Sequence, residues 1–286
     1  MYIHSAHSLL LTARDENESI DDELWAACGQ KIRRIDRYIK MSLLGALRCV
    51  DGVELPGNTR LLLATNCGTA STSVPIFDAI LNHNTQPKPF QFVNSLGNSA
   101  CFFLARTLGL NGAAHVVSKG ELSYEACLQH AFLHVNGGMP ILLGGTDEAP
   151  LPIADQLVRV NARAEQTRCY EGSHWLLLST ERPERIPVEV STPVFYYDIA
   201  DVIQVLDKAK PDAVCVNDCK LAAQLNGMPV NAVPLADCVP HGTYSGNNFV
   251  LAYNYLLAGN YAPGHKVAIL TIRRDVGMLA CTFLSL

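Results

Sequence analysis

The amino-acid sequence predicts an α/β protein, and two patterns favour this class. Short apolar runs of strand length alternate along the chain with longer segments whose apolar residues recur at helical spacing. The chain has 286 residues, 49% of them hydrophobic, so it can cover both faces of a sheet with a large apolar core. Only 17% of the residues are charged, which suggests that a partner covers part of the surface.

Seven segments are predicted to form strands, because each is a short apolar run near turn residues. They cover residues 60–65, 115–117, 140–143, 175–178, 213–216, 266–272 and 278–284. Between the last two lies a short stretch containing Arg273, Arg274 and Asp275, so we expect a terminal hairpin. Gly144 and Gly145 follow the third segment and are expected to form a tight turn, because glycine adopts backbone conformations closed to other residues.

Four segments have helical periodicity, and they cover residues 99–108, 123–136, 202–208 and 248–257. Gly109 is expected to end the first of these helices, and Gly137 with Gly138 the second. Residues 181–193 are rich in proline and glutamate, which makes them the best candidate junction between two halves of the chain.

The charge balance argues against nucleic-acid binding. With 22 basic and 27 acidic residues, the net charge is -5, and no basic excess is left to neutralise phosphates. No basic stretch precedes the apolar residues among positions 1–11, and no apolar run approaches the roughly 20 residues that cross a bilayer. We therefore expect a cytoplasmic protein without a membrane span.

Metal, nucleotide and hydrolase motifs have little support. The ten cysteines are scattered without a Cys-x-x-Cys pair, and most lie in apolar runs, so they are expected to be reduced and buried. The sequence contains no P-loop, no Gly-x-Gly-x-x-Gly after a strand, no Gly-x-Ser-x-Gly and no His-Glu-x-x-His. His130 and His134 have the i, i+4 spacing of zinc ligands, but no third ligand lies near, which favours surface or interface histidines.

A series of landmarks in the first half points to one family. The landmarks are, in order, Arg34-Ile35-Asp36-Arg37, residues 90–98, Gly109 with Gly112, and Gly144-Gly145 followed by Asp147. In order and spacing they resemble the N-terminal half of the β-ketoacyl synthases, members of the thiolase-fold superfamily, with Asp147 in place of a glutamate. In the second half, His241 and Ser245 resemble the motif before the family's late helix, and residues 266–284 resemble its last two strands.

The resemblance implies a thiolase-like α/β fold. Two pseudo-repeated βαβ halves, here residues 1–150 and 151–286, would stack their mixed sheets between helices as one integrated domain. The chain is shorter than full-length catalytic members. The deficit falls between Pro150 and Asp212, so the second half would be the shortened one.

The catalytic residues of the resembled family are mostly replaced. Its members hold an acyl group on a cysteine at a helix start and use two histidines to promote decarboxylation. Here Glu121 stands at the cysteine's position and Asn217 at the first histidine's, whereas His241 matches the second. Ala236 stands where the family has a lysine, and residues 273–277 replace its phenylalanine gate.

These residues also have structural interpretations. Glu121 could cap a helix or pair with Lys119, and His241 could hydrogen-bond locally. Cys127 lies six residues beyond Glu121 and is expected to point from a different face of the helix. A basic cluster could be an ordinary solvated face or could attract an acidic acyl carrier protein, and it consists of Arg33, Arg34, Arg37 and Lys40.

A scaffold without its nucleophile resembles the chain-length factors of type II polyketide systems. The compact second half and Glu121 are similar to ketosynthase-like proteins of bacterial aryl polyene clusters. The resemblance implies a non-catalytic subunit, without cofactor or metal, that pairs with an active ketosynthase through residues 113–117 and shapes its acyl tunnel. The acyl carrier protein would be reached through the partner. Val116 and Val117 are candidate tunnel or interface residues. Five more candidates could equally well be ordinary core, namely Phe102, Phe103, Leu104, Leu128 and Phe132.

Two other functions remain open at this point. One is a free-standing decarboxylase or hydrolase that uses Glu121 and His241. The other is a purely structural stabiliser of a ketosynthase, with no influence on the product.

Overall fold

A computed structural model describes residues 1–13, 19–135, 138–149, 152–159, 162–225, 227–235, 237–259, 261 and 263–286. Its strands are β1 (Tyr2–Thr12), β2 (Arg60–Ala64), β3 (Ala114–Val117), β4 (Ile141–Asp147), β5 (Arg168–Ser179), β6 (Val188–Val190), β7 (Val194–Tyr196), β8 (Ala213–Val216), β9 (Val230–Ala232), β10 (Cys238–Val239), β11 (Lys266–Arg273) and β12 (Met278–Ser285). Its helices are α1 (Asp21–Cys28), α2 (Arg37–Cys49), α3 (Ala70–Leu81), α4 (Pro89–Asn94), α5 (Ser99–Leu108), α6 (Ser123–Leu133), α7 (Ile153–Arg159), α8 (Ile199–Ala209), α9 (Cys219–Gln224) and α10 (Ser245–Ala258).

The strands form one mixed sheet system in the order β3-β2-β4-β5-β1-β6-β12-β11-β8-β9, with β7 beside β12 and β10 beside β5. Strand β2 is parallel to β3 and β4, and β8 is parallel to β11 and β9. Antiparallel pairs join β4 to β5, β5 to β1 and β11 to β12. The short strand β6 connects the two halves, because it pairs with both β1 and β12.

Alternating side chains divide the first half into layers. Successive residues of a strand point to opposite faces of the sheet. In β2, Leu61 and Leu63 pack in one core cluster with side chains of α1, α2 and α5. Leu62 and Ala64 pack in another cluster with side chains of α6 and α10. Strand β2 is therefore covered by helices on both faces, as expected for a parallel strand.

The second half repeats this layering. In β8, Val214 and Val216 pack with side chains of α8 and α9. Ala213 and Cys215 pack in the cluster that contains residues of α6 and α10. Helices α6 and α10 thus form a middle layer between the two parts of the sheet. The arrangement is helices, sheet, helices, sheet, helices, in agreement with the stacking that the sequence predicts.

Most predicted elements are present. Helix α5 has the predicted bounds and ends at Gly109, whose positive φ of 68° is favourable for glycine. Strands β11 and β12 form the predicted hairpin. Helix α6 starts at the predicted residue but ends at Leu133, and Gly137, one of the glycines predicted to end it, lies outside the described residues. All ten cysteines are free and most are buried, as predicted.

The prediction of a turn at Gly144 and Gly145 is wrong, because both residues lie inside β4. A Cβ atom at Gly144 would overlap the Trp175 ring of β5, and one at Gly145 would lie 2.6 Å from the Tyr124 ring of α6. These glycines are required for close packing rather than for a special backbone conformation. Among the described residues, no helix has the length and apolar character needed to cross a membrane.

Candidate functional site

A cavity of about 780 Å³ lies where the carboxyl ends of the parallel strands from both halves meet. Glu121, Asn217 and His241, the residues at the three catalytic positions of the resembled family, all line it. Ala236, at the position of the family's lysine, lies outside the described residues. The spacing of the sequence motifs therefore identifies three residues that the fold brings to one site.

Glu121 lies in the turn that precedes α6. Gly120 has a positive φ of 64°, and the side chain of Arg273 covers this turn, because a Cβ on Gly120 would lie 2.8 Å from Arg273 Nε. Glu121 is not the helix cap, since the N-cap residue is Leu122, which makes no side-chain capping bond. It forms no ion pair with Lys119 either, and the Lys119 ammonium lies 3.8 Å from the centroid of the Phe195 ring. Its carboxylate is available to the cavity.

Asn217 follows β8 and ties this strand to β11. Its Oδ1 accepts a hydrogen bond from the Ile272 amide at 3.0 Å, and its Nδ2 donates to the Ile272 carbonyl at 3.3 Å. Both ends of the amide are thus engaged with the backbone. Asn217, predicted at the position of the family's first histidine, therefore uses both of its polar atoms to bind the backbone of β11.

The proton positions on His241 follow from its neighbour His174 on β5. The Ser8 hydroxyl donates to Asn247 Oδ1 at 2.8 Å, so it accepts from His174 Nδ1, also at 2.8 Å. Burial, followed by the charges of His241 and His7, holds the pKa of His174 well below its ordinary value, so this ring carries one proton, on Nδ1. Its Nε2 therefore accepts the Nε2–H of His241 at 2.9 Å.

The other nitrogen of His241 is also occupied. His241 Nδ1 lies 3.3 Å from the Thr243 amide and 3.2 Å from its hydroxyl, both of which can donate to it. It faces Asp147 Oδ2 at 3.9 Å, beyond hydrogen-bond distance. The imidazole has no N–H left to stabilise a negative charge on a substrate oxygen in the cavity.

Asp147 organises the loop after β2. Its Oδ1 accepts from the Thr65 hydroxyl at 2.8 Å and from the amides of Asn66 and Cys67 at 2.8 and 2.9 Å. The next residue, Glu148, accepts from the Ser71 amide at 3.0 Å and from its hydroxyl at 2.5 Å. Burial is the main reason that the pKa of Glu148 rises to about 7, and its hydrogen bonds oppose this shift.

Cys67 is a cavity residue that the sequence motifs do not identify. Its side chain is exposed at the cavity surface, although most of its surroundings are protein atoms. Burial raises the pKa of its thiol to about 12, with further increases from the carboxylates of Asp147, Glu148 and Glu121. A thiol in this environment stays protonated at neutral pH and is a poor nucleophile. Cys127, buried in the middle layer, does not line the cavity.

The residues at the family's gate position form the turn between β11 and β12. Arg273 donates through two nitrogens to Asp275, each at 2.8 Å. Arg274 donates from Nε to Asp218 Oδ2 at 2.7 Å, and Asp218 also caps α9 by accepting from the Leu221 amide. Two ion pairs therefore lie at the position where the resembled family has its phenylalanine gate.

The predicted tunnel or interface residues lie elsewhere, and none of the seven lines the described cavity. Leu104 and Leu128 are fully buried core residues, in agreement with the core alternative. Phe132 is half-buried against the middle layer, and Phe103 against the outer helices. Val116 and Val117 are half-buried on β3, the strand at the end of the sheet. Phe102 is 59% exposed on α5.

The histidine pair of α6 has a third neighbour. His130 Nε2 lies 3.0 Å from His115 Nδ1 on β3, and the rings of His130 and His134 are 4.4 Å apart. Burial, followed by the charges of His134, His115 and Arg60, lowers the pKa of His130. Within the described part of the chain, no group of three or more histidine, cysteine or carboxylate side chains is arranged to hold a metal ion.

The basic cluster predicted around α2 is dispersed in the fold. Arg37 forms an ion pair with the fully buried Glu171, with Nη2 and Oε1 2.5 Å apart, and Lys40 pairs with Asp21 at 2.7 Å. Asp36 caps α2 by accepting from the Ile39 amide at 3.0 Å. The Arg-Ile-Asp-Arg landmark thus anchors α2, and only part of the cluster is left on the surface.

Comparisons with known proteins give structural matches only. No protein-family model matches the chain, and no curated protein matches it in sequence. The structure described as the ishigamide ketosynthase/chain length factor is 17% identical, with a TM-score of 0.73 over 95% of this chain and 86% of that chain. In AntDE:AntF, a type II PKS acyl-carrier protein complexed with its ketosynthase bound to the hexaketide, the matched chain is 12% identical, with a TM-score of 0.70 over 99% of this chain and 98% of that chain.

A third match is the ketosynthase ApeO in complex with its chain length factor ApeC from Xenorhabdus doucetiae. It is 11% identical, with a TM-score of 0.55 over 98% of this chain and 97% of that chain. At such low identities a structural likeness shows the fold. The chain has a thiolase-like α/β fold, which confirms the fold class predicted from the sequence.

Proposed function

We propose that the chain is a non-catalytic, chain-length-factor-type subunit that pairs with an active ketosynthase in the cytoplasm and completes its acyl tunnel. One observation carries this proposal. The cavity in which the three catalytic positions meet is lined by Glu121 where the resembled family has its nucleophile. A carboxylate does not form the thioester on which acyl transfer in that family depends.

The surroundings of Glu121 support the loss of catalysis. Cys67, a thiol in the same cavity, has its pKa raised to about 12. Asn217 uses both polar atoms on the Ile272 backbone, and His241 donates its Nε2 proton to His174. The groups that would have to activate a malonyl unit are thus engaged in the structure, and the partner would have to supply them.

An exposed apolar face supports the pairing. Helices α3 and α4 pack together and, with the turn that follows α4, expose eight large apolar side chains, Val74, Phe77, Ile80, Leu81, Phe90, Phe92, Val93 and Leu96. The same turn leads to α5, which exposes Phe102 and packs on β3. Large apolar side chains that are exposed together on neighbouring elements mark interaction sites.

Strand β3 offers a free backbone edge beside this face. In the described sheet β3 pairs only with β2. The amides of Leu61 and Thr65 donate to the carbonyls of Ala113 and Val117. Because backbone groups alternate in direction along a strand, those of Ala114 and Val116 point away from β2. A strand of a partner can pair with this edge, which is the interface that the family resemblance implies.

The structural matches support the choice of partner. They include a ketosynthase/chain length factor, a complex of a ketosynthase with its chain length factor and a complex of a ketosynthase with its acyl-carrier protein. We extend this association to the present chain, with the carrier protein reached through the ketosynthase. The compact second half and Glu121 favour an aryl polyene system as the pathway.

Activity measurements on the purified pair test this proposal. Malonyl-carrier decarboxylation and elongation should be absent for the chain alone and present for the pair. Elongation should disappear when the partner's nucleophilic cysteine is changed to alanine, because that cysteine holds the acyl group. Glu121→Ala in this chain should leave decarboxylation by the pair unchanged. Decarboxylation by the chain alone that is lost in Glu121→Ala would instead identify a free-standing enzyme.

Product length separates a chain-length factor from a structural stabiliser. Phe132 does not line the central cavity, but it is a candidate for the wall of the tunnel that is shared with the partner. Phe132→Ala and Phe132→Trp change the volume of this half-buried side chain without adding charge. In a chain-length factor, the first variant should lengthen the product and the second should shorten it. Unchanged products from pairs that still assemble would favour a purely structural role.

A further inference from the structure

A small basic pocket lies at the ends of α1 and α5 and shares no lining residue with the central cavity. Its volume is about 220 Å³, and its cationic side chains are Lys31, Arg33 and Arg106. Gln30 and Thr107 add neutral hydrogen-bonding groups, and none of the described residues that line the pocket is acidic. In a chain with a net charge of -5, three cations around one pocket are a strong local concentration of positive charge.

The two arginines of this pocket have no counter-ions among the described residues. Other arginines of the chain form ion pairs, including Arg48 with Glu23 and Arg274 with Asp218. Arg33 and Arg106 make neither an ion pair nor a side-chain hydrogen bond with any described residue. Like charges around one pocket repel each other, so an anion in the pocket would stabilise the arrangement.

The backbone holds the pocket in place without the help of its charges. Arg34, next to Arg33, has a positive φ of 62°, a conformation that non-glycine residues rarely adopt. Its carbonyl accepts a hydrogen bond from Asn94 Nδ2 at 3.0 Å, which fixes the segment between α1 and α2. Arg106 lies in the last turn of α5. The guanidinium groups are thus presented from two anchored elements.

We propose that this pocket binds a phosphoryl group. Two guanidinium groups and one ammonium match a compact dianion with three terminal oxygens better than a carboxylate, which has two oxygens and one charge. Thr107 and Gln30 can donate further hydrogen bonds, and the Phe103 ring can contact an organic substituent. Inorganic phosphate and a phosphorylated metabolite share this chemistry. The site is independent of the pairing proposed above.

Calorimetric titration of the full chain with three probes tests the proposal. Inorganic phosphate and phenyl phosphate should both bind, and added salt should weaken the binding because the pocket is open to solvent. Benzoate, which has the same ring with a single charge, should bind at least tenfold more weakly than phenyl phosphate. Tighter binding of phenyl phosphate than of phosphate would assign an organic phosphate as the natural source, and equal binding would assign the free ion.

The chain supplies its own optical reporter. Lys31 Nζ lies 4.5 Å from the centroid of the Trp25 ring, and the other tryptophan, Trp175, is fully buried in the core. An anion that neutralises Lys31 changes the electric field at Trp25, so phosphate should shift the indole emission. Trp25→Phe should abolish that emission change.

Three variants test whether phosphate binds in this pocket. Arg33→Gln and Arg106→Gln should each raise the Kd for phosphate about tenfold or more, since a charge-assisted hydrogen bond contributes more than about 1.4 kcal/mol. Arg34→Gln is the matched control, because Arg34 is exposed and adjacent but does not line the pocket, and it should leave the Kd unchanged. The proposal is overturned if phosphate does not bind the wild type, if both Arg33→Gln and Arg106→Gln bind it normally, or if benzoate binds as tightly as phenyl phosphate.

Discussion

Glu125 is a glutamate whose pKa is raised strongly by its surroundings. It lies one turn after Glu121, in the middle layer, and is almost completely buried. Its Oε1 accepts a hydrogen bond from the Thr271 hydroxyl at 2.5 Å. Burial raises the pKa of this carboxyl to about 7, and the bond from Thr271 opposes the shift. Two glutamates four residues apart thus have different surroundings, since Glu121 lines a cavity and Glu125 is buried in the core.

The raised pKa of Glu125 predicts a pH-dependent stability. An acid whose pKa is higher in the folded state than its ordinary 4.5 stabilises the fold below pH 4.5 and loses that contribution as the pH rises to about 7. Glu125→Gln keeps an acceptor for Thr271 and cannot ionise. We expect the variant to gain in free energy of unfolding relative to the wild type between pH 5 and pH 8, by at most roughly 3 kcal/mol.

Urea unfolding at several pH values measures this difference. Glu184→Gln, at an exposed position, is the control and should follow the wild type at each pH. A difference between Glu125→Gln and the wild type that stays constant with pH would contradict the assignment of a raised pKa to Glu125.

Part of the cavity can be predicted from the sequence. Glu121, Asn217 and His241 are predictable because each stands at a fixed place within a motif, and the fold brings them together. Cys67, in the loop after β2, and His174, on β5, are not, because they lie in no motif. The proton positions on His241 depend on hydrogen bonds that run from Asn247 through Ser8 and His174. These residues are far apart in the sequence, so no local sequence pattern predicts the contacts.

Strand β4 shows at the level of elements why a pair of glycines can mislead. A Gly-Gly pair usually indicates a turn, and the sequence does not reveal that an aromatic ring lies on the neighbouring strand. Strand β1 escapes prediction because its apolar residues are interrupted by His4, His7 and Ser8, although it is paired on both sides. Helix α3 is not predicted because it contains Pro75, and proline normally indicates a helix end. Strands such as β8 and β11 are predicted well, because burial on both faces gives continuous apolar runs.

The packing of β4 leads to a stability prediction. Gly144→Ala places a methyl group against the Trp175 ring, which is fixed in the core, so overpacking should lower the free energy of unfolding by about 1–3 kcal/mol. Gly97→Ala is the control, since no atom lies within 4 Å of the position that its Cβ would take and its φ is not positive. Urea unfolding measures both variants. Equal stability of Gly144→Ala and the wild type would show that β4 and β5 approach less closely.

At the scale of the whole molecule, four features favour a subunit of a larger assembly. The charged fraction is only 17%, and an apolar face on α3 and α4 is exposed. The edge strand β3 has outward backbone groups without a partner in the described sheet. In the central cavity, Asn217 and His241 are engaged in hydrogen bonds within the fold. These features fit one explanation, in which a ketosynthase partner covers the face and supplies the chemistry.

The free edge of β3 allows a sharp test of the pairing mode. Ala114 is exposed, and its amide points away from β2, so Ala114→Pro removes an outward hydrogen-bond donor without breaking the bonds to β2. Ala114→Thr keeps the donor and favours the strand conformation, which makes it the matched control.

Co-expression with the ketosynthase that is proposed as its partner, followed by size-exclusion chromatography with light scattering, tests the central claim most directly. We expect a one-to-one complex for the wild type and Ala114→Thr, and loss of the complex for Ala114→Pro. A well-behaved wild-type monomer that does not associate with the ketosynthase would contradict the account.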